Sequence, residues 1–405
     1  MENVGTTNFS IGDRVRYYRM RRGLSQQALG ELIGRTDNWI YRIEHGIRPV
    51  DRLSVLLSLA EALRVDISDL VGMDMGSGGQ GPQHDGVPGL RRVLSRPPSH
   101  LDTGGSPMTT ADLKTAVESL WRTYETERAQ RYRLVGERLP ALLGAAHTTL
   151  SAAPTGEEKE IARHVVSLYG LAQIWLRRVG EHTLARVAAD RGLSIADETG
   201  DPELRAAAAW SVACVLTSSG DVADSMELAR EMIDHCSVDD TSPEGHIAAV
   251  GALHLQGAVA AMRADRGPTA WDMLRQADRF AARITPGTNH WHTVFGECNV
   301  AMHGVHLAAE EGNAAEALRL ADDVHVADSV PLERRTRYTI EVMNCNRVQK
   351  DDYATVFMLN RLREQSPEEI VFSPLVRDAV VTLMKRERPL WADELRKVAH
   401  HIGVA

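Results

Sequence analysis

Cysteine is scarce in this 405-residue chain, and what there is lies scattered. Cys214, Cys236, Cys298 and Cys345 form no CxxC pair, which leaves neither a disulfide framework nor a zinc-ligand set. Reduced thiols in a helical core are the expectation, in a reducing compartment such as the cytoplasm. Aromatic residues make up only 5% of the chain, so the core must be built mainly from Ala, Leu and Val, which suits close-packed helices better than a β-sandwich. Long apolar runs are missing too. The longest, residues 206–216, has 11 residues and is broken by Ser211, whereas a membrane-spanning helix takes roughly 20. The opening MENVGTTNFS has neither the basic start nor the apolar stretch of a signal peptide. There is no Walker loop, no GxGxxG after a strand, no GxSxG, no HExxH and no kinase motif set. His303, His306 and Glu310 share helical spacing but lack a fourth ligand. No enzyme activity, cofactor, metal or membrane is therefore expected.

What is present is charge with an uneven distribution. The net charge is -9, yet residues 1–72 hold ten Arg against nine acidic residues, leaving -10 for the remainder. An acidic body argues against coating nucleic acid along its whole length and confines any such contact to the Arg-rich beginning.

That beginning reads as a set of short helices punctuated by glycine. Residues 11–22 carry Ile11, Val15 and Tyr18 on one face and stop at Gly23. Ser25 stands where an N-cap belongs, ahead of a helix through Ile33 that stops at Gly34. Thr36 caps a third helix, which stops at Gly46. Leu53, Leu56, Leu57, Ala60 and Leu63 then line one face of a fourth. Two short helices joined at a glycine are the local signature of a helix-turn-helix. The stretch Leu24-Ser25-Gln26-Gln27-Ala28-Leu29, Ile33-Gly34, then Ile40-Tyr41-Arg42-Ile43-Glu44-His45-Gly46 resembles the phage-repressor-type helix-turn-helix of the xenobiotic-response-element (XRE) class, with Leu53 to Leu70 similar to that family's last two helices.

The resemblance implies a five-helix DNA-binding domain over residues 9–72, whose third helix lies in the major groove of double-stranded DNA. Thr36, Asp37, Asn38, Tyr41 and Arg42 would then face base edges. The amide of Asn38 and the guanidinium of Arg42 can each bond a purine in two places. Asp37 could accept from a cytosine amine but would repel phosphate. Gln26 would touch the backbone, and Arg14, Arg35, Arg48 and Arg52 are candidates for phosphate contacts. Trp39 reads as core or dimer contact. The weak net charge of this segment leads to the expectation of a homodimer on a two-fold site.

Residues 73–110 hold eight Gly and five Pro, a composition that reads as flexible linker. One island, Leu90-Arg91-Arg92-Val93-Leu94, is apolar and basic enough to dock.

Residues 111–405 read as helix after helix, and over residues 157–366 a unit recurs: an Ala-rich helix, a short polar or glycine turn, and a second helix. The turns fall at Gly180-Glu181, Gly220-Asp221, Gly267-Pro268, Gly312-Asn313 and Asp351-Asp352, spaced 40, 47, 45 and 39 residues apart. Breakers with proline separate the units at Asp201-Pro202, Ser242-Pro243, Thr285-Pro286-Gly287, Ser329-Val330-Pro331 and Ser366-Pro367. This resembles tetratricopeptide (TPR) repeats, so the expected fold class is all-α: a helix-turn-helix domain plus an α-solenoid of TPR-like helix hairpins. A single helix from Thr110 to Ala146 should precede the repeats. His254, Asn299, His303, His306, Tyr338 and Asn344 are candidates for a polar stripe binding a peptide or small polar effector.

The combined layout is similar to regulators whose repeat domain senses a signal, including the peptide-sensing RRNPP group. It implies a transcriptional regulator whose effector prefers one dimer geometry. The alternative is a TPR-type scaffold that grips a protein partner, with secondary DNA binding.

Overall fold

The computed structural model describes residues 10–48, 50, 53–65, 69–70, 84–97, 106–386 and 388–404. Among them the chain is all-helical, with no strand. Arg52, Ile67 and residues 73–83 and 98–105 of the segment read as linker lie outside the described residues. Contacts divide the molecule into two compact units. The first comprises Met1–Pro82, Ala308–Asp323 and Thr336–Ala405, and the second Gln83–Leu307 and Val324–Arg335. The simple order of reader, linker and repeats is thus not how the contacts group, because the C-terminal helices cluster with the N-terminal module.

In the first unit, α1 (Ile11–Arg21), α2 (Gln26–Leu32), α3 (Asp37–Glu44) and α4 (Leu53–Leu63) form the N-terminal module. Each of the first three is started by a hydroxyl. Ser10 and Asp13 make a reciprocal capping box, Ser25 accepts from the Ala28 N–H, and Thr36 accepts from the Trp39 N–H. Gly23, Gly34 and Gly46 follow α1, α2 and α3 with φ of 69°, 66° and 67°, the left-handed region where a side chain is disfavoured. Val15, Leu29, Trp39, Ile40, Ile43, Leu56, Leu59 and Leu63 make the core. Gly12 lets α1 touch α3, since a Cβ there would come 2.3 Å from the Ile43 carbonyl oxygen.

The second unit begins with α5 (Val87–Leu94), which lies inside the segment expected as linker. Val87, Leu90 and Leu94 are buried against the helix Arg131–Ser151, and Gly86 and Gly136 approach so closely that a Cβ on Gly86 would meet the Gly136 Cα at 2.8 Å. The expected single helix from Thr110 is two, α6 (Thr110–Thr126) and α7 (Arg131–Ser151), broken at an extended Glu127. Folding back lets Leu113, Val117, Leu120 and Trp121 share one core with Tyr132, Val135 and Leu139, which a straight rod would leave apart.

The repeats follow as α8 (Glu158–Arg178), α9 (His182–Thr199), α10 (Pro202–Ser219), α11 (Val222–His235), α12 (Glu244–Arg263) and α13 (Gly267–Ala281). Each pairs with its successor, and α10 also packs on both α8 and α12, so the first helix of each hairpin forms one layer. Gly180 and Gly220 take the predicted turns with φ of 84° and 93°. At the third turn Asp265, φ 59°, holds the left-handed position, and Gly267 starts the next helix. Asp201 caps α10 by accepting from the Glu203 and Leu204 N–H groups, with Pro202 at the first helical position. α12 is long and apolar enough to cross a membrane by composition alone, but most of it is buried between α10, α11 and α13. A short 3-10 turn at His290–His292 packs on it, and α14 (Glu297–Glu310) follows.

The rest of the first unit contains α15 (Ala314–Asp322), most of α16 (Leu332–Val348), α17 (Asp352–Gln365), α18 (Pro367–Val371), α19 (Pro374–Met384) and α20 (Ala392–His401). Ile340, Met343, Val356, Leu359, Val380, Leu383 and Leu395 form its second core. Cys214, Cys236 and Cys345 are buried free thiols and Cys298 is half-buried. Burial pushes the Cys345 thiol up to about 12, so it stays protonated.

Candidate nucleic-acid interface

The N-terminal module is organised around a carboxylate that sequence reasoning did not single out. Glu44, at the end of α3, has a fully buried side chain. It accepts from Arg19 Nε and, at 2.9 Å, from Arg19 Nη2, and from Gln26 Nε2 at 2.8 Å. One residue thus ties α1 and the start of α2 to α3. The ion pair raises the pKa of Arg19. Glu44 follows Ile40 and Ile43 on the buried face of α3, and an acid at such a position was the available signal. Gln26, expected at the DNA backbone, has its amide nitrogen committed to this network.

The start of α3 faces solvent. Thr36, Asp37, Asn38 and Tyr41 are all exposed. The Thr36 hydroxyl is spent on capping, and Asp37 Oδ1 accepts from the Asn38 N–H at 2.8 Å. Tyr41 stacks on His45 with ring centroids 4.0 Å apart. Trp39 packs into the core as expected, with the Arg35 and Arg48 guanidiniums each 5.6 Å from its ring centroid. The surface of α3 therefore carries an amide, a carboxylate and a phenol, aimed outward from a rigid base.

The arginines divide. Arg35 and Arg42 are half-buried, while Arg14 and Arg48 are each only 6% exposed. Burial lowers the pKa of Arg14. Arg48 Nη2 lies 3.3 Å from Glu310 Oε2. Neither Arg14 nor Arg48 stands open to a phosphate in this arrangement.

Of the six effector candidates, His254, Asn299, His303 and His306 belong to the second unit. His254 is buried beside Phe280, ring centroids 5.4 Å apart, in the layer between α12 and α13. Its Nδ1 has no hydrogen-bond partner among the described residues, and burial pushes its pKa down to about 4. Asn299 and His303 are brought together by a residue not foreseen, Arg334. Its Nε donates to Asn299 Oδ1 at 2.5 Å, and its Nη2 lies 3.3 Å from His303 Nδ1. Burial first, then the Arg334 charge, with a smaller push from the His306 side, hold His303 well below its ordinary pKa. Tyr338 and Asn344 belong to the first unit. The Tyr338 hydroxyl donates to the Ala321 carbonyl at 3.4 Å, and Asn344 Oδ1 accepts from Arg347 Nε and Nη2 at 3.0 and 2.7 Å.

Two residues that the sequence did not flag stand out on α8. Gln173 is fully buried with neither amide atom hydrogen-bonded among the described residues. One turn on, Arg177 Nη1 donates to the Cys214 carbonyl of α10 at 3.1 Å. No group of acids, histidines and cysteines among the described residues is arranged to hold a metal ion.

Residues 10–71 match the family model of a helix-turn-helix domain. The N-terminal module is that domain. The match spans α1 to α4, so the helix-turn-helix assignment covers the region where α3 presents its open start. No curated protein sequence matches the chain. Among solved structures, the chain is similar to PlcR of Bacillus thuringiensis, whose crystal structure is a complex with the peptide PapR7 and DNA. The identity is 15%, over 68% of this chain and 95% of that one, with a TM-score of 0.29. At that score no residue role is transferred between the two.

Proposed function

We propose that this chain is a sequence-specific transcriptional regulator of the XRE type, which binds double-stranded DNA as a cytoplasmic homodimer and answers to an effector held by its helical hairpins. The observation that carries the reading is the helix-turn-helix domain with the start of its third helix exposed. In this reading the exposed Asn38 and Tyr41 are the base-edge candidates, Arg42 is the guanine-reading candidate one turn on, and Arg35 is the phosphate contact that positions them. The regulator's second half is an α-solenoid, a fold that offers a long surface of helix faces to a ligand.

For the effector, the α8 pair joins the predicted candidates. A desolvated amide without a partner costs about 1–3 kcal/mol, which a ligand bearing a peptide-like group at Gln173 would recover. Arg177 beside it favours a carboxylate or a carbonyl. Asn299, His303 and Arg334 form the second polar cluster of the same unit.

Selection of bound sequences from random duplexes with the full-length protein tests the DNA reading. A two-fold motif is expected, and Asn38→Ala should relax the preference at one position per half-site at a cost of about 1–3 kcal/mol. Recovery of an unenriched pool would contradict it.

A further inference from the structure

Within the first unit the helix-turn-helix domain is held at four places by the segments 308–323 and 336–405, and all but one fall on or just after α3. Arg48 pairs with Glu310 at 3.3 Å, both side chains less than a tenth exposed. Arg42 lies over Gly312, where a Cβ would come 3.1 Å from the Arg42 Cζ and Nε. Arg347 Nη2 donates to the Gly46 carbonyl at 3.1 Å, at the C-terminal end of α3 where backbone carbonyls accept cations well. Arg347 is itself oriented by Asn344 Oδ1 and by Asp378 Oδ2 at 3.4 Å. Lys385 Nζ bonds Asp13 Oδ2 of α1 at 3.0 Å.

These contacts have a common consequence. Glu310 occupies Arg48 as a phosphate would, and the backbone at Gly312 covers one face of the Arg42 guanidinium. Gly312 fits this position twice over: its φ of 86° marks the turn between α14 and α15, and its missing side chain makes room for Arg42. We infer that the Glu310 carboxylate and the backbone at Gly312, with Arg347 and Lys385, form an autoinhibitory clasp that competes with DNA for Arg42 and Arg48. The inference rests on the DNA-binding reading above. A clasp of this kind sets a resting affinity, because only the released fraction of the protein offers both arginines to a duplex. Anything that binds the released form in preference raises DNA affinity by the same linkage.

The test uses the full-length protein and a mixed-sequence duplex at low salt, which reads the arginine contacts without knowledge of an operator. Wild type is compared with Glu310→Gln, with Lys385→Ala, and with the pair of changes together. Glu311→Gln, at an exposed neighbouring acid, controls for the change in net charge. Fluorescence anisotropy gives the affinity, and hydrogen exchange over residues 36–48 reports whether α3 is released. Glu310→Gln should speed exchange there and tighten binding about tenfold, with the double variant tighter still and Glu311→Gln near wild type. Adding Arg42→Ala should cancel the gain. Faster exchange with unchanged affinity would show that the contacts hold α3 without competing with DNA, and unchanged exchange that they do not hold it at all. Either result overturns the clasp. If no protein binds the duplex although exchange is released, the DNA-binding reading itself has failed.

Discussion

Replacing Glu44 with alanine removes one acceptor and strands three donor groups. Arg19 Nε and Nη2 and Gln26 Nε2 all end on this carboxylate, whose side chain is fully buried while that of Arg19 is 12% exposed. Deleting one partner of a buried ion pair costs about 3–5 kcal/mol, most of it from the uncompensated charge left behind. Arg19 retains its Nη1 bond to the Leu24 carbonyl at 2.7 Å and some solvent, so the lower end, about 3 kcal/mol, applies. The loss is local to α1–α3, and amide exchange on α3 is the assay that sees it. One pKa-sized step of 1.36 kcal/mol is tenfold, so exchange limited by opening of this domain should accelerate about a hundredfold. The double change Arg19→Met/Glu44→Leu should recover most of the loss, because no buried charge is then stranded. An effect of Glu44→Ala below about 1 kcal/mol would refute the claim that this carboxylate organises the domain.

Other outcomes follow from the same geometry. Gly12→Ala pushes a Cβ against the Ile43 carbonyl oxygen and should cost about 1–3 kcal/mol, measured by exchange on α1 and α3. Leu90→Ala should loosen α5 by about 2–5 kcal/mol and open residues 84–97 to limited proteolysis; continued resistance would contradict the docking of this helix. His147 and His254 are both pushed by burial from about 6.5 down to about 4. Above 6.5 both are neutral whether folded or not. Below it the unfolded chain takes up protons that the fold refuses, so stability falls as pH drops from 6.5 towards 4, by about 1.4 kcal/mol per pH unit for each histidine. His254→Leu should therefore lose less stability between pH 7 and pH 5 than wild type in urea unfolding, and equal losses would count against its burial as a neutral group.

The helices and their ends were legible in the sequence because local chemistry sets them. Ser25 and Thr36 cap, and Gly23, Gly34, Gly46, Gly180, Gly220 and Gly312 turn, each in the left-handed region or at the helix start where its type is favoured. Two turns were read a residue or two out, since Asp265 and Lys350 take the left-handed position without being glycine. The break at Glu127 was invisible to periodicity, because α6 and α7 are both amphipathic and only their mutual packing decides where the chain folds back. Composition pointed to linker around α5, with only the apolar island Leu90–Leu94 to mark it, yet three buried aliphatic side chains outweigh the glycine and proline there. For the polar stripe, spacing reaches no further than a single helix. Helical spacing puts Asn299 and His303 on one side correctly, but says nothing of Arg334 arriving from elsewhere, nor that Asn344 is consumed by Arg347 one turn away. Burial of Arg14 and Arg48 was equally unreadable, since it depends on partners such as Glu310 that lie far along the chain.

The central claim, that α3 reads a DNA sequence, is tested most directly by capture of genomic fragments with the purified full-length protein, wild type beside Arg42→Ala. Sharp peaks sharing a two-fold motif, lost in the variant, are the predicted result. Peaks that survive Arg42→Ala unchanged, or diffuse recovery by both proteins, would contradict it.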